Sequence, residues 1–203
     1  MSTHARIQLT GKGLLLATCM TVALSAIAAP PKYKLSLIPK LEGWWYAFPS
    51  KINNAGQVLG ELERDNQIHT FLYANRVTID IKPVGEYYVS PNDINETGTI
   101  VGSTEEQAYK FENGQFTLLE APGYELKSAS DVNNKGQIIG RVLPVGSSSY
   151  QGFLYDNGNI SVLPTGSFNF LDLVAINESG TIVGNGHTDV GSVPFIRTVK
   201  QPQ

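Results

Sequence analysis

The segment Ile52–Gly60 (INNAGQVLG) decides how this chain folds, because three further segments match it without a gap. These are Ile94–Gly102 (INETGTIVG), Val132–Gly140 (VNNKGQIIG) and Ile176–Gly184 (INESGTIVG). Their first asparagines stand at positions 53, 95, 133 and 177, which gives a period of about 40 residues. Repetition at this period indicates one small structural unit that is used four times.

Each of the four segments predicts a β-hairpin. A β-branched residue ends one strand, and Asn-x-x-Gly forms the turn, in which asparagine bonds its own backbone and glycine takes a positive φ. An apolar pair then begins the next strand. The glycine that ends each segment predicts a β-bulge or a close approach of two backbones.

Two more strands are predicted after each hairpin. Third strands recur around an aromatic residue at His69–Tyr73, Gln107–Phe111, Gln151–Tyr155 and Val193–Arg197. Fourth strands follow at Val77–Ile81, Phe116–Leu119 and Ile160–Leu163. Four short antiparallel strands in about 40 residues are typical of a propeller blade. The four repeats cover about residues 44–85, 86–123, 124–166 and 167–203.

The last repeat ends before a fourth strand, and a matching segment stands near the other end of the chain. Tyr33–Pro39 (YKLSLIP) has the alternation and the trailing proline of Ile160–Pro164. We therefore predict an all-β fold, a small β-propeller of four blades with four antiparallel strands each, closed by the N-terminal strand 33–39. Closure would remove exposed sheet edges. An open stack and a ring completed by dimerisation are the alternatives.

The first residues have the pattern of a secretory signal peptide. Arg6 and Lys12 precede an apolar stretch over residues 13–26, and the small residues Ala26 and Ala28 fit a signal peptidase site. The stretch is short and rich in alanine and threonine for a membrane span. We expect cleavage of residues 1–28, a single domain over 29–203, and secretion into a periplasm or the extracellular space.

Composition and motifs argue against several functions. The chain has 203 residues and a net charge of −3, which disfavours nucleic-acid binding, and one cysteine, which excludes a disulfide framework or a thiolate zinc site. No nucleophile elbow, His-Glu-x-x-His sequence or phosphate-binding loop occurs. We therefore expect a protein that is not an enzyme and that needs neither a cofactor nor a metal.

The pattern resembles the HAF family of bacterial extracellular repeat proteins, named for a His-Ala-Phe motif beside Ile-Asn-Asn-x-Gly-Gln-Val-Val-Gly. All four repeats match the second motif. The first is matched loosely by His69–Phe71, Gln107–Tyr109 and Gln151–Phe153, and it is nearly lost in Val193–Phe195. The resemblance covers about residues 44–198. It implies a bacterial exported protein with a repeat fold, and it assigns no catalytic residue.

The candidate binding residues lie in the loops predicted to share one face of the ring. In an up-and-down blade, the connections between strands 2 and 3 and between strands 4 and 1 lie on the same side, and here both kinds vary in sequence. Loops on a rigid scaffold commonly carry binding residues. The candidates are Trp44, Trp45, Tyr87, Tyr88, Tyr124, His187 and Asp189. The alternative is that the aromatic rings pack between blades.

We expect an exported binding or interaction module that takes a carbohydrate, peptide or protein ligand and is a monomer rather than an oligomer. One alternative is a structural scaffold for another protein. A less favoured one is a glycoside hydrolase with paired carboxylates, for which Asp172 and Asp189 would be tested first. Asp93 and Asp131 occupy equivalent positions, but Lys51 and Ala175 replace the acid in the other repeats, which disfavours a cation site.

Overall fold

The computed structural model of the chain describes residues 32–82 and 88–198, in which fifteen strands form four sheets. The first sheet consists of β1 (Tyr46–Ile52), β2 (Val58–Arg64), β3 (Gln67–Ala74) and β4 (Val77–Ile81). The second consists of β5 (Val89–Ile94), β6 (Ile100–Thr104), β7 (Ala108–Glu112) and β8 (Gln115–Leu118). The third consists of β9 (Tyr124–Val132), β10 (Ile138–Pro144), β11 (Gln151–Asp156) and β12 (Asn159–Leu163). The fourth consists of β13 (Phe170–Ile176), β14 (Ile182–Thr188) and β15 (Gly191–Arg197).

The strands of each sheet pair antiparallel in the order of the sequence, and each sheet lies within one predicted repeat. The predicted all-β class is therefore confirmed. All these strands belong to the compact unit Leu37–Gln203. No helix in the described residues is long and apolar enough to cross a membrane. The predicted signal peptide 1–28 and the candidate Tyr87 lie outside the described residues.

The predicted strand at Tyr33–Pro39 is not formed in this structure, so the closure of a ring by this strand stays a prediction. Residues 32–40 lie in no strand, and the fourth sheet has three strands with β15 at one edge. Tyr33 and Leu35 are exposed. A strand requires a partner whose backbone completes the ladder of hydrogen bonds. Alternation in the sequence shows which side chains would share a face, but it does not supply that partner.

The four hairpin turns have the predicted chemistry. In the first, Asn53 Oδ1 accepts a hydrogen bond from the backbone N–H of Gln57 at 3.0 Å, and the N–H of Gly56 donates to the Asn53 carbonyl. Gly56 has a φ of +74°, a conformation that costs a residue with a Cβ about 1 kcal/mol. The same asparagine-to-backbone bond closes the turns at Asn95, Asn133 and Asn177.

The glycine at the end of each motif permits a close approach of two strands. A Cβ on Gly140 would lie 2.0 Å from the Ser128 carbonyl oxygen and 2.7 Å from the ring of Phe153. The register of β9 shifts opposite this glycine, so the bulge lies in the partner strand. Equivalent contacts occur at Gly60, Gly102 and Gly184. The motif glycine and the aromatic residue of the third strand are thus two parts of one packing unit.

Consecutive sheets pack through apolar side chains that come from both partners. Leu59 and Ile81 of the first sheet are buried against Val89 and Ile94 of the second. The next contact contains Val101 and Leu119 with Leu126 and Val132, and the last contains Ile139 and Leu163 with Leu171 and Ile176. Burial of such side chains contributes about 1.5–3 kcal/mol each, so these contacts are a major source of stability.

A ladder of asparagine side chains crosses the same interfaces. The Nδ2 atom of Asn53 donates to the carbonyl of Asn95, Asn95 donates to Asn133, and Asn133 donates to Asn177, each at 2.9 Å. The first three asparagines are buried. A shift of one turn relative to the next would break these bonds and leave buried amides without partners, which is costly. The ladder therefore holds neighbouring turns in register.

Candidate ligand-binding clefts

The two tryptophans differ strongly in exposure. Trp44 is 9% exposed and packs against Leu62 and Phe71, and its ring meets the buried His69 imidazole edge-on at 4.3 Å. Trp45 is 58% exposed. The candidate Trp44 is therefore a core residue, and of the two tryptophans only Trp45 is open to a ligand.

The aromatic candidates Trp45, Tyr88 and Tyr124 stand at or just before the first strands of three different sheets. Trp45 stands before β1, Tyr88 forms an isolated bridge with Ile68, and Tyr124 begins β9. His187 and Asp189 lie at the end of β14 and just after it. Of these residues, Tyr124 and His187 line two different clefts between sheets.

The larger cleft, of about 910 Å³, lies between the second and third sheets and is acidic. Tyr124 stands at its edge and is partly exposed. The charged residues in its wall are Glu105, Glu106, Glu120, Glu125 and Lys127. Lys127 Nζ lies 2.7 Å from Glu125 Oε2, and this hydrogen bond raises the pKa of the lysine above its usual value. Three glutamates remain beside this ion pair.

The second cleft, of about 450 Å³, lies between the third and fourth sheets and combines aromatic, hydroxyl and charged groups. It is lined by Arg141, Ser148, Ser149, Tyr150, Asn169, Phe170, Asp172 and His187. These residues come from β10, from the loop before β11, and from β13 and β14 with the residue that precedes β13. We call this the aromatic cleft.

Two aromatic groups and one ion pair define the aromatic cleft. The rings of Phe170 and His187 stack almost parallel, with centroids 4.1 Å apart and an interplanar angle of 7°. Arg141 Nη2 lies 2.9 Å from Asp172 Oδ1, and its guanidinium stands 5.5 Å from the centre of the Tyr150 ring. Arg141 and Asp172 belong to different sheets, so the ion pair bridges the interface that forms the cleft.

The candidate Asp189 lies beside the aromatic cleft rather than in its wall. Its Oδ1 accepts a hydrogen bond from Asn169 Nδ2 at 2.6 Å, and the Asn169 backbone N–H donates to the His187 carbonyl at 2.7 Å. Asp189 therefore helps to hold Asn169, which does line the cleft, in place.

Arg141 and Tyr150 were not among the candidates from the sequence. Arg141 directly follows the terminal glycine of its motif, and the equivalent residues are Glu61, Ser103 and Asn185. This position varies between repeats, and its side chain reaches the next sheet: Glu61 accepts a hydrogen bond from Ser90, and Arg141 pairs with Asp172. Variation immediately after an otherwise regular motif was the signal that the sequence contained.

Asp93 and Asp131 bind the backbone of the following repeat. Asp131 Oδ2 accepts a hydrogen bond from the Ile176 N–H at 2.6 Å, and Asp93 Oδ2 accepts one from Val132 at 3.4 Å. Burial, followed by a hydrogen bond with Asp93, raises the pKa of Asp131 to about 6. Across residues 32–82 and 88–198, no group of three or more His, Cys, Asp or Glu side chains is placed to hold a metal ion.

Comparison of the chain with models of protein families finds no match, and comparison with curated proteins finds no significant match either.

Proposed function

We propose that this protein is an exported binding module that holds a carbohydrate in the aromatic cleft without chemical turnover. One observation carries the proposal: Tyr150 and the Phe170–His187 stack stand around the Arg141–Asp172 ion pair in one concave site. The apolar face of a sugar ring packs on an aromatic ring, and its hydroxyls accept hydrogen bonds from a guanidinium and donate them to a carboxylate.

The dimensions and energetics of the cleft support a binding role. Its volume of about 450 Å³ is within the range of small-molecule sites. Arg141 and Asp172 are both substantially exposed, and an exposed ion pair contributes at most about 1 kcal/mol to folding. The protein therefore loses little folding stability if a ligand takes over the hydrogen bonds of Arg141 and Asp172.

Binding is best tested by calorimetric titration of the folded protein with a panel of oligosaccharides. Phe170→Ala and Tyr150→Ala should each weaken the binding of a sugar at least about tenfold, which corresponds to 1.4 kcal/mol of lost contact. Tyr124→Ala is the matched control, because Tyr124 is a partly exposed aromatic residue in the other cleft. The proposal is wrong if no sugar binds the folded protein, or if Tyr124→Ala weakens binding as much.

The proposal includes export and a propeller scaffold. Export is supported by the signal-like residues 1–28 and by the resemblance to HAF repeat proteins. The propeller is supported by four antiparallel sheets whose neighbours pack on one another, and by the match of Tyr33–Pro39 to Ile160–Pro164, which would give the fourth sheet its missing strand. N-terminal sequencing of the protein recovered outside the cytoplasm should begin at Ala29.

A second candidate function is that of a scaffold for a basic protein. The larger cleft favours it, because Glu105, Glu106 and Glu120 line this cleft together with the partly exposed Tyr124. Binding of a lysine- and arginine-rich peptide there would fall steeply with salt, since exposed charges are screened within about 10 Å at 0.1 M. Tyr124→Ala would weaken this binding while Phe170→Ala would not, so one pair of variants separates the two functions.

A further inference from the structure

The two ends of the repeat array expose faces that are buried everywhere else. Leu59, Val101 and Ile139 are equivalent residues of the second strands, and each is fully buried by the following sheet. Their counterpart in the fourth sheet, Val183, is 40% exposed. Ile196 of β15, which corresponds to the buried Leu72 of β3, is 69% exposed. We call the surface around Val183 and Ile196 the outgoing face.

The first sheet exposes the opposite surface. Ile52 is 71% exposed, whereas its equivalents Ile94, Val132 and Ile176 are buried by the preceding sheet. All seven residues of β1 are exposed, and Ala47 among them corresponds to the fully buried Val89. We call the surface around Ala47 and Ile52 the incoming face. The three internal interfaces each join one outgoing face to one incoming face.

The asparagine ladder also ends with unused groups on these two faces. Asn177 closes its own turn as the other three asparagines do, but its Nδ2 has no hydrogen-bond partner among the described residues. At the other end, the one bond that the Asn53 carbonyl accepts from a described residue is the turn bond from Gly56, whereas the carbonyls of Asn95 and Asn133 also accept the side-chain amide of the preceding repeat. The Asn177 side-chain amide and the Asn53 carbonyl are therefore the donor and the acceptor that one further bond of the ladder would join.

We propose that the outgoing face of one chain docks on the incoming face of a second copy of this chain, so that the internal interface is repeated between molecules. Both faces are exposed at once in a single chain, so the three internal interfaces do not bring them together. A second copy covers them without any change in those interfaces. Such head-to-tail contacts close into a ring or continue as a fibre. Two copies are the fewest that cover both exposed faces of each chain, and their eight sheets are within the usual range for propellers, so we infer a closed dimer.

The segment before β1 already has the form of a connection between sheets. The backbone N–H groups of Trp44 and Trp45 donate to the carbonyls of Leu41 and Glu63. Phe168 and Asn169, which join the third sheet to the fourth, make the equivalent bonds to Thr165 and His187. Residues 41–45 therefore have the backbone bonds of a connection from a preceding sheet.

The proposed dimer also supplies the fourth strand that the fourth sheet lacks. In the match of Tyr33–Pro39 to Ile160–Pro164, Ile38 corresponds to Leu163, which is buried at the end of β12, and no described strand pairs with the outer edge of β15. In the dimer, the segment that contains Ile38 in one copy pairs with β15 of the other copy. This step rests on the proposed propeller scaffold, whereas the docking of the two faces does not.

Sedimentation velocity of the protein, purified after expression of the whole chain, tests the proposal over a range of concentrations. We expect a dimer that dissociates on dilution. Ile52→Asp and Ile196→Asp should each be monomeric, since each places a charge on one of the two faces. Val190→Asp is the matched control, because Val190 is 97% exposed in the turn before β15 and should leave the dimer intact.

Mixing the two face variants separates docking from loss of folding. The Ile52→Asp chain retains an intact outgoing face, and the Ile196→Asp chain retains an intact incoming face, so an equimolar mixture should form a heterodimer although each chain alone is monomeric. A monomeric wild-type protein at every concentration would overturn the proposal. So would a mixture of well-folded variants that does not associate. Sugar binding in the aromatic cleft is measured separately and can fail or succeed on its own.

Discussion

Single asparagine side chains connect the turn to the interface in this protein. In Asn133, Oδ1 accepts the N–H of Gln137 within its own turn, while Nδ2 donates to the carbonyl of Asn177 in the next repeat. The first bond was predictable, because asparagine turns are local chemistry. The second was not, because its acceptor is 44 residues away and is placed only by the packing of two sheets.

Asp131 provides a prediction at this scale. Its pKa is raised to about 6 in the folded protein, first by burial and then by Asp93, from 3.8 for the free side chain. The folded state thus holds this proton more tightly, and the stability that it contributes is full below pH 3.8 and is lost as the pH rises through 6. Asp131→Asn should therefore stabilise the protein by about 1 kcal/mol at pH 7.5, allowing for solvent screening, and hardly at all at pH 4.

The measurement for Asp131 is denaturant unfolding of wild type and variant across pH 4–8. Glu42→Gln removes one exposed carboxylate elsewhere and serves as the control, with little expected change at any pH. A stabilisation by Asp131→Asn that is the same at pH 4 and pH 7.5 would contradict the assignment.

At the scale of the strand, the two glycines of each motif, one in the turn and one at its end, are required for different physical reasons. The turn glycine Gly136 has a φ of +76° and open space where a Cβ would be, so it is required by conformation. Gly140 has ordinary backbone angles, but Ser128 and Phe153 occupy the space of a Cβ. It is required by packing. The sequence indicated that both glycines mattered, and the structure separates the reasons.

Alanine substitutions should show this difference. Gly140→Ala forces β9 or Phe153 to move, and we expect a loss of about 3 kcal/mol in the free energy of unfolding. Gly136→Ala should lower the free energy of unfolding by about 1 kcal/mol, because its one cost is the positive φ of a residue that has a Cβ. Thermal and urea unfolding of the two variants measures both values. If Gly136→Ala lowered the free energy of unfolding more than Gly140→Ala, the close approach of the strands would not explain why glycine stands at position 140.

At the scale of the whole molecule, stability comes from contacts between successive sheets rather than from one central core. Each interface combines apolar side chains of two repeats, such as Leu119 with Leu126. Within the described residues, no comparable set of contacts joins the first sheet to the fourth. The end sheets therefore have one covered face each, whereas the inner sheets are covered on both sides.

A large-to-small change at an inner interface tests this view. Leu126 is buried between the second and third sheets, so Leu126→Ala should cost about 2–5 kcal/mol through lost contacts and a cavity. Leu118 is a partly exposed leucine in the neighbouring β8, and Leu118→Ala should cost about 1 kcal/mol or less. Equal losses on urea unfolding would indicate that the interface does not dominate stability.

The candidate site shows where prediction from the sequence ends. Loop variability pointed to His187, which lines the aromatic cleft, whereas Trp44 and Trp45 were both candidates and only Trp45 is exposed. Arg141 was missed because its partner Asp172 belongs to another sheet. Which aromatic rings are buried depends on neighbours that are distant in the sequence, so the sequence did not separate core from surface for Trp44.

The sequence by itself determined the elements of this protein: the four hairpins, their asparagine turns, the third strands with their aromatic residues, and the all-β class. These follow from local rules of backbone conformation and from side-chain alternation, which act within a few residues. Only the tertiary structure decided which faces meet, which clefts open between sheets, and that Val183 and Ile52 remain uncovered at the two ends. Those outcomes depend on contacts between segments about 40 residues apart, and the physical reason is that burial is a property of the packed pair of sheets and not of either sheet alone.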